Sequence, residues 1–129
     1  MIDTNAVIKS YLASDAALAI LVSTRIYCPR LPENATLPAI GFFTRGGTST
    51  PYIPGMPAPS VQFDCWASSP IVARQVYRAL YDALQGIQNV KVGSNYILSA
   101  REEVQGQDLV DSEVQGYFRV LSFWEIMLR

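Results

Sequence analysis

The chain has 129 residues, half of them apolar, and a formal net charge of −1 from ten basic and eleven acidic residues. That length suits one domain, residues 1–129, which buries roughly two-thirds of its unfolded surface. The charges are scattered, which argues against gripping duplex nucleic acid, and the absence of histidine removes the usual general base and the commonest zinc ligand.

No apolar run approaches the ~20 residues of a membrane span. The Met1 end, with Asp3 and a single lysine in its first turns, does not read as a signal peptide. The expectation is cytosolic synthesis, with Cys28 and Cys65 as two reduced, buried thiols.

The first helical pattern runs from Asp3 or Thr4 to Val22, with Val7, Ile8, Tyr11, Leu12, Leu18 and Leu21 on its buried side. Ser14-Asp15 interrupts it, and a split there would take Ser14 as a new cap. Arg25 to Cys28 reads as a short strand stopped by Pro29, and 29–37 as a loop. A strand follows over Ala39–Arg45, with Ile40 and Phe42 on one face. Gly46–Pro59 is then too long for a tight hairpin and is rich in Gly, Pro, Ser and Thr. It nevertheless carries Tyr52, Ile53 and Met56, so it reads either as a flexible hairpin tip or as an arm that orders against a neighbouring subunit.

In Ser60–Ala67, Val61, Phe63 and Cys65 alternate with Gln62 and Asp64, the period of a strand with one buried face. Trp66 falls on the polar face, which is therefore partly covered or touches a partner. Ser68 or Ser69 suits a helix cap and Pro70 a first helical position. Ala73, Val76, Tyr77, Leu80 and Leu84 then recur at helical spacing, and Gly86 is a natural stop. Asn89–Val92 and Tyr96–Val104 read as strands, and Gly106–Ser112 as a polar connection. The closing strand, Val114–Leu128, has Phe118, Val120, Trp124, Ile126 and Leu128 on one face and Tyr117, Leu121 and Phe123 on the other. The expected fold is α+β: two main helices packed on an antiparallel or mixed sheet, with a long hairpin-like arm between the second and third strands.

Chemistry is sparse. Arg45-Gly46-Gly47-Thr48 lacks the spacing and lysine of a phosphate loop. Glu102 and Glu103 point to opposite faces of a strand and cannot share a site. Asp108, Asp111 and Glu113 fit no calcium loop. Cys65 has no base to activate it. These residues define no catalytic, cofactor-binding or metal site. The positive signals concern surfaces, and the candidate assembly contacts are Arg45, Tyr52, Ile53, Met56, Trp66, Tyr117 and Phe123. A different reading makes the chain a small ligand-binding module with Tyr52, Trp66 and Trp124 lining an apolar pocket.

Four blocks carry a resemblance. They are Ser14–Val22 running into Arg25-Ile26-Tyr27; Leu37-Pro38-Ala39-Ile40-Gly41-Phe42; Val61–Ala67 with the helix through Ala73, Leu80 and Leu84; and Tyr117–Phe123. Together they resemble the phage tail-completion family, the small head–tail joining or tail-terminator proteins of long-tailed phages. The resemblance implies a homo-oligomer, most often a ring of six, at the head-proximal end of the tail tube. Such a ring stops tube polymerisation and docks the head connector or neck protein, while DNA passes through its lumen without specific binding. It also implies a place in the virion after assembly in the host cytoplasm. Another neck or tail structural protein of similar design is the alternative.

Overall fold

The computed structural model describes residues 2–49, 52, 56–110 and 117–129. The first helical stretch is two helices, α1 (Thr4–Ala13) and α2 (Ala16–Val22), set at 87° to each other. Asp3 caps α1 by accepting from the Ala6 amide at 3.2 Å. The break lies at Ser14-Asp15, but the second cap is Asp15, whose carboxylate accepts from the Leu18 amide at 3.0 Å. Ser14 instead closes α1, its hydroxyl donating to the Tyr11 carbonyl at 2.6 Å. Among the described residues no single helix is long and apolar enough to cross a membrane.

The short strand β1 is Ile26–Tyr27, one residue shorter at each end than the pattern suggests. Arg25 donates from Nε to the Pro38 carbonyl at 2.8 Å, which returns the 29–37 loop to the start of β2 (Ala39–Thr48). β2 pairs with β3 (Ala58–Ala67) in an antiparallel ladder that continues to Thr48↔Ala58. Residues 46–48 and 58–59 are thus strand rather than connection. Period-2 alternation fails there because the register shifts between Thr44 and Gly47, and Gly47 sits at φ +130°, a conformation closed to most side chains.

Helix α3 (Pro70–Leu84) starts on Ser69, whose hydroxyl accepts from the Ile71 amide, and takes Pro70 at its first turn. Strand β4 (Gln88–Val92) turns through Gly93 (φ +61°) into β5 (Asn95–Val110), and β6 (Phe118–Leu128) closes the fold. The expected polar connection over Gly106–Ser112 is strand as far as Val110. Three register shifts, between Ile97 and Ser99, Glu102 and Val104, and Val104 and Gln107, let β5 stay paired with β6 while its alternation is scrambled.

The six strands form one mixed sheet in the order β1-β2-β3-β6-β5-β4, with β1 parallel to β2 and the other pairs antiparallel. All three helices bury their apolar stripes against one sheet face, so the architecture is α+β. Val61, Phe63, Cys65 and Ala67 of β3 meet Val120, Trp124, Ile126 and Leu128 of β6 there. Phe42 and Phe63 stack with centroids 5.4 Å apart. Ser122, the one buried polar residue among the described residues, accepts from the Trp124 indole N–H at 3.0 Å. Cys65 is buried as expected, whereas Cys28 is half-buried; both thiols are free.

Candidate assembly surface

Among the described residues the opposite sheet face carries no helix. Its end near β1 is crossed by the 29–37 loop, which lies so close that a side chain on Gly41 would press on the Leu31 backbone nitrogen at 3.2 Å. The rest of the face is built by register. Phe43, Gln62 and Phe123 form one row across β2, β3 and β6; Gly41, Asp64 and Leu121 form the next; Ala39, Trp66 and Arg119 form a third. Phe43, Trp66, Tyr117, Leu121 and Phe123 are all half-buried.

Two arginines shape this face. The Arg45 guanidinium lies over the Phe123 ring, 4.2 Å from its centroid, and Arg119 lies over Trp66 at 5.2 Å. Trp66 in turn meets Tyr117 edge to face, with centroids 6.4 Å apart and planes at 78°. Arg119 Nη1 stands 3.7 Å from Asp64 Oδ1, an ion pair too long for a hydrogen bond, and that oxygen is buried with no hydrogen-bond partner. Burial raises the Asp64 pKa above the usual carboxylate value, opposed by the Arg119 charge and by a hydrogen bond with Gln62.

Four of the sequence-predicted contacts therefore share this face. Arg45 meets Phe123, and Trp66 meets Tyr117. The arm residues do not join them: Tyr52 is 90% exposed and Met56 half-buried, beyond the opposite end of the β2–β3 ladder. Ile53 lies outside the described residues. Sequence reading missed Phe43, Asp64 and Arg119 as members of the surface. The alternation that put Trp66 on the polar face of β3 also placed Asp64 there, but its partner Arg119 comes from a strand fifty residues later, roughly, in a register no local pattern reveals.

The proposed apolar pocket does not form. Trp124 is fully buried on the helix side, Trp66 lies on the open side, and Tyr52 is on the arm. Other candidates for chemistry are structural. Glu102 accepts from the Tyr77 hydroxyl at 2.5 Å and Glu103 from the Ser60 hydroxyl at 3.0 Å, on opposite sides of β5. Asp108 is paired with Arg74, Nε to Oδ1, at 2.9 Å; Asp111 and Glu113 lie outside the described residues. Among the described residues no group of three or more His, Cys, Asp or Glu side chains could hold a metal ion. Burial pushes the Cys65 thiol far up, and neighbouring Asp64 adds to it, so it stays protonated and unreactive.

The fold and this surface define a class: an α+β domain with helices on one sheet face and an open aromatic face on the other. A solved structure titled as the virion of a native gene transfer agent particle contains a chain of similar fold, with a TM-score of 0.66 at 15% identity, covering 95% of this chain and 92% of that one. No protein-family model matches the chain, and no curated protein does.

Proposed function

We propose that this chain is a structural protein of a phage-like virion, and that within it the chain forms the ring that caps the head-proximal end of a tail tube. The observation that carries the coarser reading is the likeness in fold, over nearly the whole of both chains, to a component of a gene transfer agent virion. The finer reading draws on the sequence blocks that resemble tail-completion proteins, on the open sheet face, and on the uncharged, proline-rich composition of the 49–57 segment.

A closed ring needs heterologous contacts, in which one surface meets a different surface on the next copy. The 49–57 arm and the open aromatic face supply two such surfaces on one chain. Six copies, the number the resemblance implies, would close the ring, stop addition of tube subunits on one side and present a docking surface to the head connector on the other. The near-neutral charge suits a lumen through which DNA slides without being held. The work is assembly rather than catalysis.

The test is negative-stain microscopy of a lysate in which this gene carries an early stop codon. Filled heads beside unattached tails of uncontrolled length are expected. Unattached tails of correct length would move the protein to a joining step elsewhere in the neck. Intact, infectious particles would sink the virion reading.

A further inference from the structure

We infer that the proline-rich arm of one copy packs on the Trp66–Tyr117 end of the open sheet face of the next copy. This rests on the ring reading and names its contact.

The first argument is chemical. The segment from Gly46 to Pro59 contains no charged residue and carries Pro51, Pro54, Pro57 and Pro59 together with Tyr52, Ile53 and Met56. Prolyl rings are apolar, their backbone is already restricted, and they dock into notches between aromatic rings at low entropic cost. The Trp66–Tyr117 pair offers two half-buried rings set edge to face, with planes at 78°, for such a segment to pack on. The charges beside it are accounted for locally: Arg119 lies over Trp66 and faces Asp64. Arg119 and Asp64 thus face one another, and an uncharged apolar segment matches the aromatic rings beside them.

The second argument is reach. At about 3.3 Å per residue, β3 from Ala58 to Trp66 spans about 26 Å. The chain from Thr48 to Ala58, doubled back and fully extended, covers about 18 Å. It is shortened further because the Leu128 amide donates to the Pro57 carbonyl at 2.9 Å, which ties the return limb to the end of β6. An arm cannot reach the Trp66 end of its own sheet, so this contact forms only between copies. The arm and its receptor lie at opposite ends of the sheet. Repeating the contact thus joins copies head to tail, the geometry that closes a ring or runs on as a filament.

The experiment uses the full chain with Tyr52→p-benzoylphenylalanine, assembled from a mixture of isotopically light and heavy protein, irradiated and mapped by mass spectrometry. Heavy–light adducts on the peptides that contain Trp66 or Tyr117 are expected. In parallel, Trp66→Ala should weaken self-association by at least about tenfold in sedimentation, as for loss of a central aromatic anchor, with the far-ultraviolet circular dichroism unchanged. Oligomers whose adducts fall elsewhere, or only within one chain, would overturn the docking and leave the ring standing. Adducts only on added tube protein would do the same and assign the arm to the tube. A chain that stays monomeric at every concentration would overturn the ring reading and the docking together.

Discussion

Replacing Tyr77 by phenylalanine isolates the attachment of the bulged part of β5 to α3. The Tyr77 residue is 4% exposed, and its hydroxyl donates to Glu102 Oε2 at 2.5 Å while accepting from the Gly106 amide at 3.0 Å. Gly106 approaches so closely that a Cβ there would lie 2.7 Å from Tyr77 Cζ, so the contact requires glycine on one side and a flat ring on the other. Phenylalanine keeps the ring and its packing. It loses a hydrogen bond to a carboxylate, worth about 1.5–3 kcal/mol when well shielded, and leaves the Gly106 amide without its acceptor at about 1 kcal/mol. Glu102 is half-buried and regains water, which places its share at the low end. The expected loss is therefore about 2 kcal/mol, read as a lower urea midpoint with an unchanged slope. The pH dependence supplies a second reading. Burial first, then the Glu102 hydrogen bond, pushes the Tyr77 pKa from 10.0 to about 12. Between those values the folded protein keeps a proton that the unfolded chain has lost. The stability that Tyr77 contributes is complete below pH 10 and falls as pH rises toward 12. The Tyr77→Phe protein should lack that part of the alkaline decline. A variant within about 0.5 kcal/mol of the parent, with the same alkaline slope, would refute the reasoning, since surface changes commonly stay within that range.

Three further outcomes are expected. Phe63→Asp should abolish cooperative unfolding by circular dichroism, because Phe63 is fully buried against Phe42 and an unpaired buried charge costs several kcal/mol; a normally folded protein would mean that the faces of β3 are reversed. Asp64→Asn should raise the melting temperature at pH 7, a gain of up to about 1 kcal/mol. Because burial raises the Asp64 pKa, that group's contribution is complete below its unfolded value of 3.8 and is lost as pH rises through the folded value. Melts from pH 3 to 7 should therefore lose that step in the variant, and a lower melting temperature at neutral pH would show that Arg119 pairing outweighs burial. Replacing 49–57 by a tight turn should leave the circular dichroism spectrum intact, since the ladder ends at Thr48↔Ala58, but abolish ring formation and tube binding. Retained assembly would remove the arm from the mechanism.

Much of the candidate surface was legible residue by residue but not as an arrangement. Trp66 stands out in the sequence as an aromatic on a polar strand face, Tyr117 and Phe123 as a second apolar face of the closing strand, and Arg45 as a charge where a strand runs into the arm. That Arg45 lies over Phe123 and Trp66 beside Tyr117 follows only from placing β6 next to β3 in one register. The unpartnered oxygen of Asp64 was invisible for the same reason, since alternation along β3 marks Asp64 only as a member of the polar face. The helices divide differently. The bend between α1 and α2 is marked by Ser14-Asp15, yet which of the two caps the second helix depends on the bend itself, which presents the Asp15 carboxylate to the Leu18 amide.

The sequence by itself determined the elements whose signals are local: α3 from its Ser69 cap and 3.6-residue stripe, the buried face of β3 from strict alternation, and the absence of histidine chemistry. These are set by hydrogen bonds and side-chain directions within a few residues, so neighbours in the chain suffice to specify them. Tertiary structure alone decided the strand order β1-β2-β3-β6-β5-β4, the continuation of β5 through Gly106, and the gathering of aromatic rings and arginines on the uncovered face. A bulge shifts alternation by one residue, and pairing then compensates across the ladder rather than along the strand. The information lies between strands far apart in the chain, where no single stretch of sequence carries it.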